Sequence, residues 1–205
     1  MSTFDKRAQT WDENPMHMER SKAIAKKMCE NIRLSNEKTA LEYGAGTGTL
    51  SFLLKDHLRH ITMMDNSRGM VREMIAKISK SEATNMQPMF FDLENSLYYK
   101  KRFDLIYTQM VLHYVRNVEE ILGTFFNLLE DGGTVAIADL YEEDGTFHGN
   151  DFAGHLGFDV ESLSKTMASI GYKNIRHEQC FEVNKTIETG ESKVFPLFLL
   201  IAEKA

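Results

Sequence analysis

Residues 41–51, from Leu41 to Ser51, carry the residue types and spacing best suited to chemistry in this 205-residue chain. Gly44, Gly46 and Gly48 stand at every second position, behind a short apolar run and ahead of an amphipathic one, the pattern of a strand turning sharply into a helix. Such a turn makes a ligand cradle. Glycine tolerates positive φ and, lacking Cβ, lets a ligand approach the backbone, while the new helix offers unpaired N–H groups and a positive dipole end. A dinucleotide fingerprint places its third glycine three positions after the second, but here Gly48 follows Gly46 by two and Thr49 fills the expected place. Glu42, two residues before the first glycine, would repel a pyrophosphate and suits an ammonium or another cation better.

The pattern Glu42-x-Gly44-x-Gly46-x-Gly48 resembles motif I of the Rossmann-like (class I) S-adenosylmethionine-dependent methyltransferases of the small-molecule type, and the resemblance covers nearly the whole chain. S-adenosylmethionine has an amino-acid end, a sulfonium and an adenosine, and no phosphate, which suits a glycine loop with an acidic entrance. The resemblance implies a set of cofactor contacts beyond Glu42, Gly44 and Gly46. Asp65, 21 positions after Gly44, takes the place of the ribose acid, with Asn66 beside it; helix capping by Asp65, Asn66 or Ser67 is the plainer alternative. Met70 offers a flat apolar neighbour for the adenine. Asp92 would accept from the exocyclic amine while the Leu93 N–H donates to a ring nitrogen, unless Asp92 is simply a surface loop acid. Thr108 and Gln109 would sit beside the methionine end. Trp11, in the segment Ala8 to Asp12, resembles part of an N-terminal lid, where an aromatic face near a sulfonium gains about 0.5–2 kcal/mol; the alternative is a tryptophan that anchors a loose terminus.

Methyl transfer from such a cofactor, with S-adenosylhomocysteine as product, is an in-line displacement whose leaving group is already activated. Placing donor and acceptor together supplies ~7–11 kcal/mol of barrier reduction, and a general base adds ~10²–10⁴ where the nucleophile must lose a proton. His113, His148 and His155 are the candidate bases, each with a packed or solvated histidine as the alternative. Asp139, Glu142, Glu143 and Asp144 with the later histidines are able to supply oxygen and nitrogen ligands, but their spacing matches no defined signature, so no metal is expected.

The elements that must position these residues follow from periodicity. A helix begins at Pro15 and runs to about Leu34, with Ile24, Met28 and Ile32 on one stripe. Strands are expected at 39–43, 61–64, 89–91, 103–108 and 134–139, with helices at 47–58, around 70–78, at 119–129 and at 160–170. The last two strands, 174–183 and 193–202, lack a helix between them and so form a hairpin. Together with the resemblance this gives an α/β fold: a three-layer Rossmann-like sandwich with a mostly parallel seven-stranded sheet and a C-terminal antiparallel hairpin. One domain is expected over 1–205, with 1–34 as lid and helix and the irregular 140–158 as substrate wall.

A net charge of −6 offers no basic field for nucleic acid, so a small-molecule acceptor is expected. Cys29 and Cys180, far apart and without metal-ligand spacing, suggest reduced thiols in a cytoplasmic protein, and no leader or membrane span is evident. A monomer or homodimer is expected. Competing with the methyltransferase reading are a non-catalytic S-adenosylmethionine-binding regulatory module and an NAD-linked oxidoreductase, the latter opposed by the glycine spacing and Glu42.

Overall fold

Alternating apolar residues in the middle of the chain fix which side of the sheet each strand residue faces. In β1 (Thr39–Tyr43), Ala40 joins one buried cluster and Leu41 and Tyr43 the other; in β4 (Phe103–Gln109), Leu105 and Tyr107 oppose Ile106 in the same way. The computed structural model describes residues 3–99, 101–149 and 151–205; residues 1–2 of the expected lid and residue 150 of the expected wall lie outside them.

The chain opens with α1 (Thr3–Arg7) and a 3₁₀ turn (Ala8–Glu13), then α2 (Pro15–Asn31), where the Asn14 side chain accepts from the Met16 N–H and Pro15 takes the first helical position. After β1 come α3 (Thr49–Leu54), β2 (His60–Asp65), α4 (Arg68–Lys80) and β3 (Met86–Phe90). Beyond β4 lie α5 (Val118–Leu128), β5 (Leu129–Leu140), α6 (Val160–Ile170), β6 (Tyr172–Thr186) and β7 (Ser192–Lys204). The seven strands form one sheet in the order β3-β2-β1-β4-β5-β7-β6, parallel except where β7 runs antiparallel between β5 and β6. Helices α2, α3 and α4 contribute to the buried cluster on one face, α5 and α6 to the other. The expected three-layer fold with its C-terminal hairpin is therefore the fold observed. Crossovers leave β1 toward β2 on one side and return to β4 on the other, so a crevice opens at the carboxyl ends of β1 and β4.

Three of the boundaries that differ from expectation have a local cause. The helix after the glycine loop is shorter than 47–58: Gly48, at φ 80°, caps it and a 3₁₀ turn takes over at Lys55. Strand β3 begins at Met86 and contains Pro88, tolerated because β3 is an edge strand paired only with β2. Residues 130–133, between the helix expected at 119–129 and the strand expected at 134–139, are a bulge inside β5: Phe103 pairs with Leu129 and Leu105 with Thr134, while Gly132, at φ 76°, lets the extra residues loop out. Among the described residues, no helix is long and apolar enough to cross a membrane.

Phe125 of α5 is fully buried and meets Tyr43, at the end of β1, edge to face with ring centroids 5.2 Å apart. Phe125→Ala should lower the unfolding free energy by about 3–5 kcal/mol in urea denaturation. A loss below about 1 kcal/mol would show that α5 does not pack on β1 in this way.

Candidate active site

The glycine loop needs its glycines. Gly44, Gly46 and Gly48 all have left-handed backbones, with φ of 67°, 57° and 80°, and a Cβ on Gly44 would overlap the Val111 side chain. Asp65, closing β2, reaches across to this loop: one carboxylate oxygen accepts from the Gly46 N–H and the other from the Ser67 N–H, both at 2.8 Å. Burial pushes the Asp65 carboxyl up to about 6, although these two hydrogen bonds act the other way.

The N-terminal segment is fastened over the loop by two further acids. Asp12 accepts from the hydroxyls of Thr47 at 2.6 Å and Thr49 at 3.2 Å and from Lys77 Nζ at 2.8 Å, while Asp5 accepts from the Ser67 hydroxyl and the Gly69 N–H, each at 2.8 Å. These bonds hold Trp11 over Gly46, its Nε1 3.9 Å from where a Cβ on that glycine would stand. The indole stacks on His17 with centroids 4.3 Å apart.

Beneath Trp11 a cavity of about 770 Å³ runs from the loop, Asp65, Asn66 and Met70 to His113 and His148, a volume within the ~300–1,000 Å³ typical of small-molecule sites. Its far wall comes from Phe147 and His148 in the expected substrate wall and from Val183 to Thr186 at the end of β6, which was not anticipated. At the floor, His113 Nδ1 lies 2.6 Å from Asp139 Oδ1, and both residues are fully buried. Asp139 Oδ1 also accepts the Leu140 N–H at 2.8 Å. Among the described residues, His113 Nε2 and His148 Nε2 are buried polar atoms without a hydrogen-bond partner. His148 stacks on Phe152, its ring centroid 5.0 Å from that of His113; burial, then the neighbouring His113 and Lys185, push its pKa down to about 4. Met110 stands between β4 and this floor at φ 55°, a conformation uncommon outside glycine, and its N–H donates to the Ala138 carbonyl at 2.8 Å.

Of the residues singled out from sequence, Trp11, Gly44, Gly46, Asp65, Asn66, Met70, His113 and His148 meet at this cavity. Glu42 does not line it. The pleat of β1 turns its side chain under α3, where it accepts from the Ser51 hydroxyl; burial raises its pKa to about 8. Thr108 is buried within β4 and does not line the cavity, whereas Gln109, expected beside it, does, as does Met110. Asp92 is occupied locally, accepting from the Glu94 N–H at 3.0 Å and the Asn95 amide at 2.7 Å, and Leu93 lines a smaller hollow with Arg116. His155 does not line the cavity; its Nε2 meets the carbonyl of Val115, a lining residue, at 3.0 Å. Asp139 pairs with His113, but among the described residues no group of three or more histidines, cysteines or acids is arranged to hold a metal.

Arg20, which also lines the cavity, was missed. It had a signal: one helical repeat before Ile24, it extends the apolar stripe of Ile24, Met28 and Ile32 backwards and is as buried as they are, at 6% exposure. The His113–Asp139 pair had none, since 26 residues separate partners that only the β4–β5 pairing brings together.

A glycine cradle that a side chain would fill, a nearby buried carboxylate and an aromatic cover fit the nucleoside and sulfonium of S-adenosylmethionine. Residues 16–181 match the methyltransferase domain family. An uncharacterized methyltransferase of Schizosaccharomyces pombe is 27% identical over 150 residues, covering 65% of this chain and 53% of the relative, so the chain spans about half the length of that curated relative. Among solved structures, the N-methyltransferase NodS of Bradyrhizobium japonicum superposes with a TM-score of 0.69 at 16% identity, over 95% of this chain and 99% of that one. Phosphoethanolamine N-methyltransferase 2 of Haemonchus contortus, in complex with S-adenosyl-L-methionine, gives 0.67 at 14% identity, over 91% and 52%. With its sheet order, its glycine loop and a family match across most of its length, the chain belongs to the S-adenosylmethionine-dependent methyltransferases.

Proposed function

We propose that this protein transfers a methyl group from S-adenosylmethionine to a small-molecule acceptor. The observation that carries this reading is a single cavity reaching from the glycine loop to the His113–Asp139 pair, open at both ends of the chemistry. When bound, the cofactor supplies an electrophilic methyl on a sulfonium that departs as a neutral thioether, S-adenosylhomocysteine. Gly44 and Gly46 bring backbone up to it, Asp65 accepts from the ribose hydroxyls, Asn66 and Met70 flank the adenosine, and Trp11 with the rest of the N-terminal segment serves as a lid. His113 faces the acceptor. A carboxylate can only accept, so against Asp139 the Nδ1 atom carries the hydrogen and Nε2 is left with a lone pair for the proton of an acceptor O–H, N–H or S–H. His148 adds a neutral hydrogen-bonding group beside it. The open far half of the cavity speaks against a non-catalytic module, and the glycine spacing against NAD.

S-adenosylmethionine and S-adenosylhomocysteine should each stabilise the protein in a thermal-shift titration, by about 2.7 kcal/mol at a hundredfold excess over Kd, with NAD inert. Stabilisation by NAD alone would defeat the proposal.

Affinity should depend on pH through Asp65. Its raised pKa means that the unliganded protein keeps a proton there up to about pH 6, and the stability gained from that proton is fully present below the ordinary value of 3.8 and lost as pH rises through 6. Ribose hydroxyls favour the ionised form, so binding must expel the proton. Calorimetric affinity for S-adenosylhomocysteine should therefore fall by up to about tenfold per pH unit below 6, and Asp65→Asn should flatten the profile. A flat wild-type profile would remove Asp65 from the site.

With an acceptor identified from a metabolite extract using labelled cofactor, His113→Gln should lower kcat about 10²–10³-fold while changing S-adenosylhomocysteine affinity less than about threefold. Unaltered turnover would show that the acceptor needs no base from this residue.

A further inference from the structure

Arg7, Arg20 and Lys185 put three positive charges on the cavity lining, more than the single carboxylate of the cofactor calls for. Arg20, in the first half of α2, is 6% exposed, and among the described residues its buried Nε has no hydrogen-bond partner. The carboxylate that acts on it most strongly, Asp139, is already committed to His113 and to the Leu140 N–H. A buried guanidinium left without a counter-ion is unfavourable, and Arg20 is buried at a cavity wall, where a ligand is able to bring the missing anion. Arg7 and Lys185 line the same cavity with their charges nearer solvent, Lys185 donating to the Phe147 carbonyl; the acids on the lining, Asp65 and Glu94, come from the end of β2 and the loop after β3.

Arg20 belongs to the acceptor side. The groups that act on it electrostatically, Asp139, Tyr114 and Cys180, lie at the end of β5, just after β4, and on β6. None is on β1 or β2, which carry the glycine loop and Asp65; Arg20 also acts on His17 of its own helix, which stacks on Trp11 at the cover of the cavity. In the sheet β5 is two strands from β1, a separation of about 10 Å at roughly 4.8 Å per strand.

We infer that the methyl acceptor is a small molecule bearing a carboxylate or phosphate, and that Arg20 selects it by pairing with that oxyanion. The inference rests on the methyl-transfer reading of this cavity. A guanidinium fork matches both oxyanions bidentately, and Arg7 and Lys185 at the rim draw an anion inward. The oxyanion is the handle and not the nucleophile: a carboxylate or phosphate is already deprotonated and needs no base, whereas His113 Nε2 is held ready for a proton. The acceptor thus presents a protic O–H, N–H or S–H to His113, whose proton goes to Nε2 as the new bond to the methyl carbon forms and the carbon–sulfur bond breaks with its electron pair left on sulfur.

The test joins a binding arm to a product arm. Protein saturated with S-adenosylhomocysteine is titrated by calorimetry with inorganic phosphate and with benzoate. At least one should bind, and Arg20→Met should weaken that binding tenfold or more, with partial recovery in Arg20→Lys, while S-adenosylhomocysteine affinity changes less than threefold. If Arg20→Met instead weakens S-adenosylhomocysteine tenfold and leaves 5′-methylthioadenosine unaffected, Arg20 holds the carboxylate of the cofactor and the inference is overturned. Independently of any variant, the labelled product formed by wild-type protein in a metabolite extract should be retained on an anion exchanger at pH 7.5. Release by alkaline phosphatase identifies a phosphate handle and continued retention a carboxylate; a product that passes unretained overturns the inference. Wild-type protein that binds S-adenosylhomocysteine but neither anion fails this inference alone, whereas failure to bind S-adenosylhomocysteine fails the methyl-transfer reading itself.

Discussion

The carboxylate of Asp65 joins the first two turns of the sheet. It ends β2, yet one of its oxygens holds the Gly46 N–H of the loop that follows β1, and the other holds the Ser67 N–H that starts α4. Three left-handed glycines at alternate positions have few favourable contacts of their own, and this bond supplies a fixed point for the loop. Burial of Asp65 is also what makes the negative charge of the site selective. Glu42, the other acid near the loop, is fully enclosed with Ser51 and Tyr107, and burial, with some help from Asp65, holds its pKa at about 8. Two buried carboxylates near one another do not ionise equally, and here the one facing the cavity takes the charge. Near neutral pH the field met by a cation comes from Asp65, while Glu42 is a neutral hydrogen-bonding strut beneath α3.

The N-terminal segment covers this charge by attachments of a different kind. Neither α1 nor the 3₁₀ turn buries an apolar side chain other than Ala8, so little hydrophobic area holds them down. Their fastenings are polar: Asp5 on the start of α4, and Asp12 on Thr47, Thr49 and Lys77. The Asp12–Lys77 pair has side chains 43% and 30% exposed, the class of ion pair worth about 0–1 kcal/mol. Segments held in this way occupy the low end of local stability, which suits the lid role proposed for Trp11 and its neighbours.

Much of this organisation was legible in the chain. Period-two runs gave the strand faces, and Gly44, Asp65 and Met70 met where motif spacing put them. Legibility failed where a side chain's direction, and not its position, decides its contacts. Glu42 and Thr108 stand at the correct ends of β1 and β4, but the pleat sends both away from the cavity, so that of the expected pair Thr108 and Gln109 only Gln109 lines it. Asp92 fails for a local reason, because Glu94 and Asn95 give it an Asx-type turn to cap. No local pattern predicts a methionine at positive φ, so the turn at Met110 that brings Val111 and His113 to the cavity is a tertiary result. The contribution of β6 to the far wall is likewise invisible until the hairpin returns across the sheet.

The proposed base must also dispose of the proton it takes. His113 and Asp139 are fully buried, and the next titratable ring, His148, whose pKa burial pushes down to about 4, is a poor recipient near neutral pH. Tyr114 packs against both rings, and burial pushes its phenol upward, so it too retains its own proton near neutral pH. No neighbouring side chain therefore offers a downhill relay. In the proposed reaction the proton would stay on His113 Nε2 until the methylated product withdraws and water enters the far half of the cavity, which would couple regeneration of the base to product release. The imidazolium formed in the meantime lies against the Asp139 carboxylate at 2.6 Å, the one partner able to stabilise a positive charge in so dry a place. On this account Asp139 does more than fix a tautomer: it makes the protonated state of a fully buried histidine tolerable for as long as the product remains.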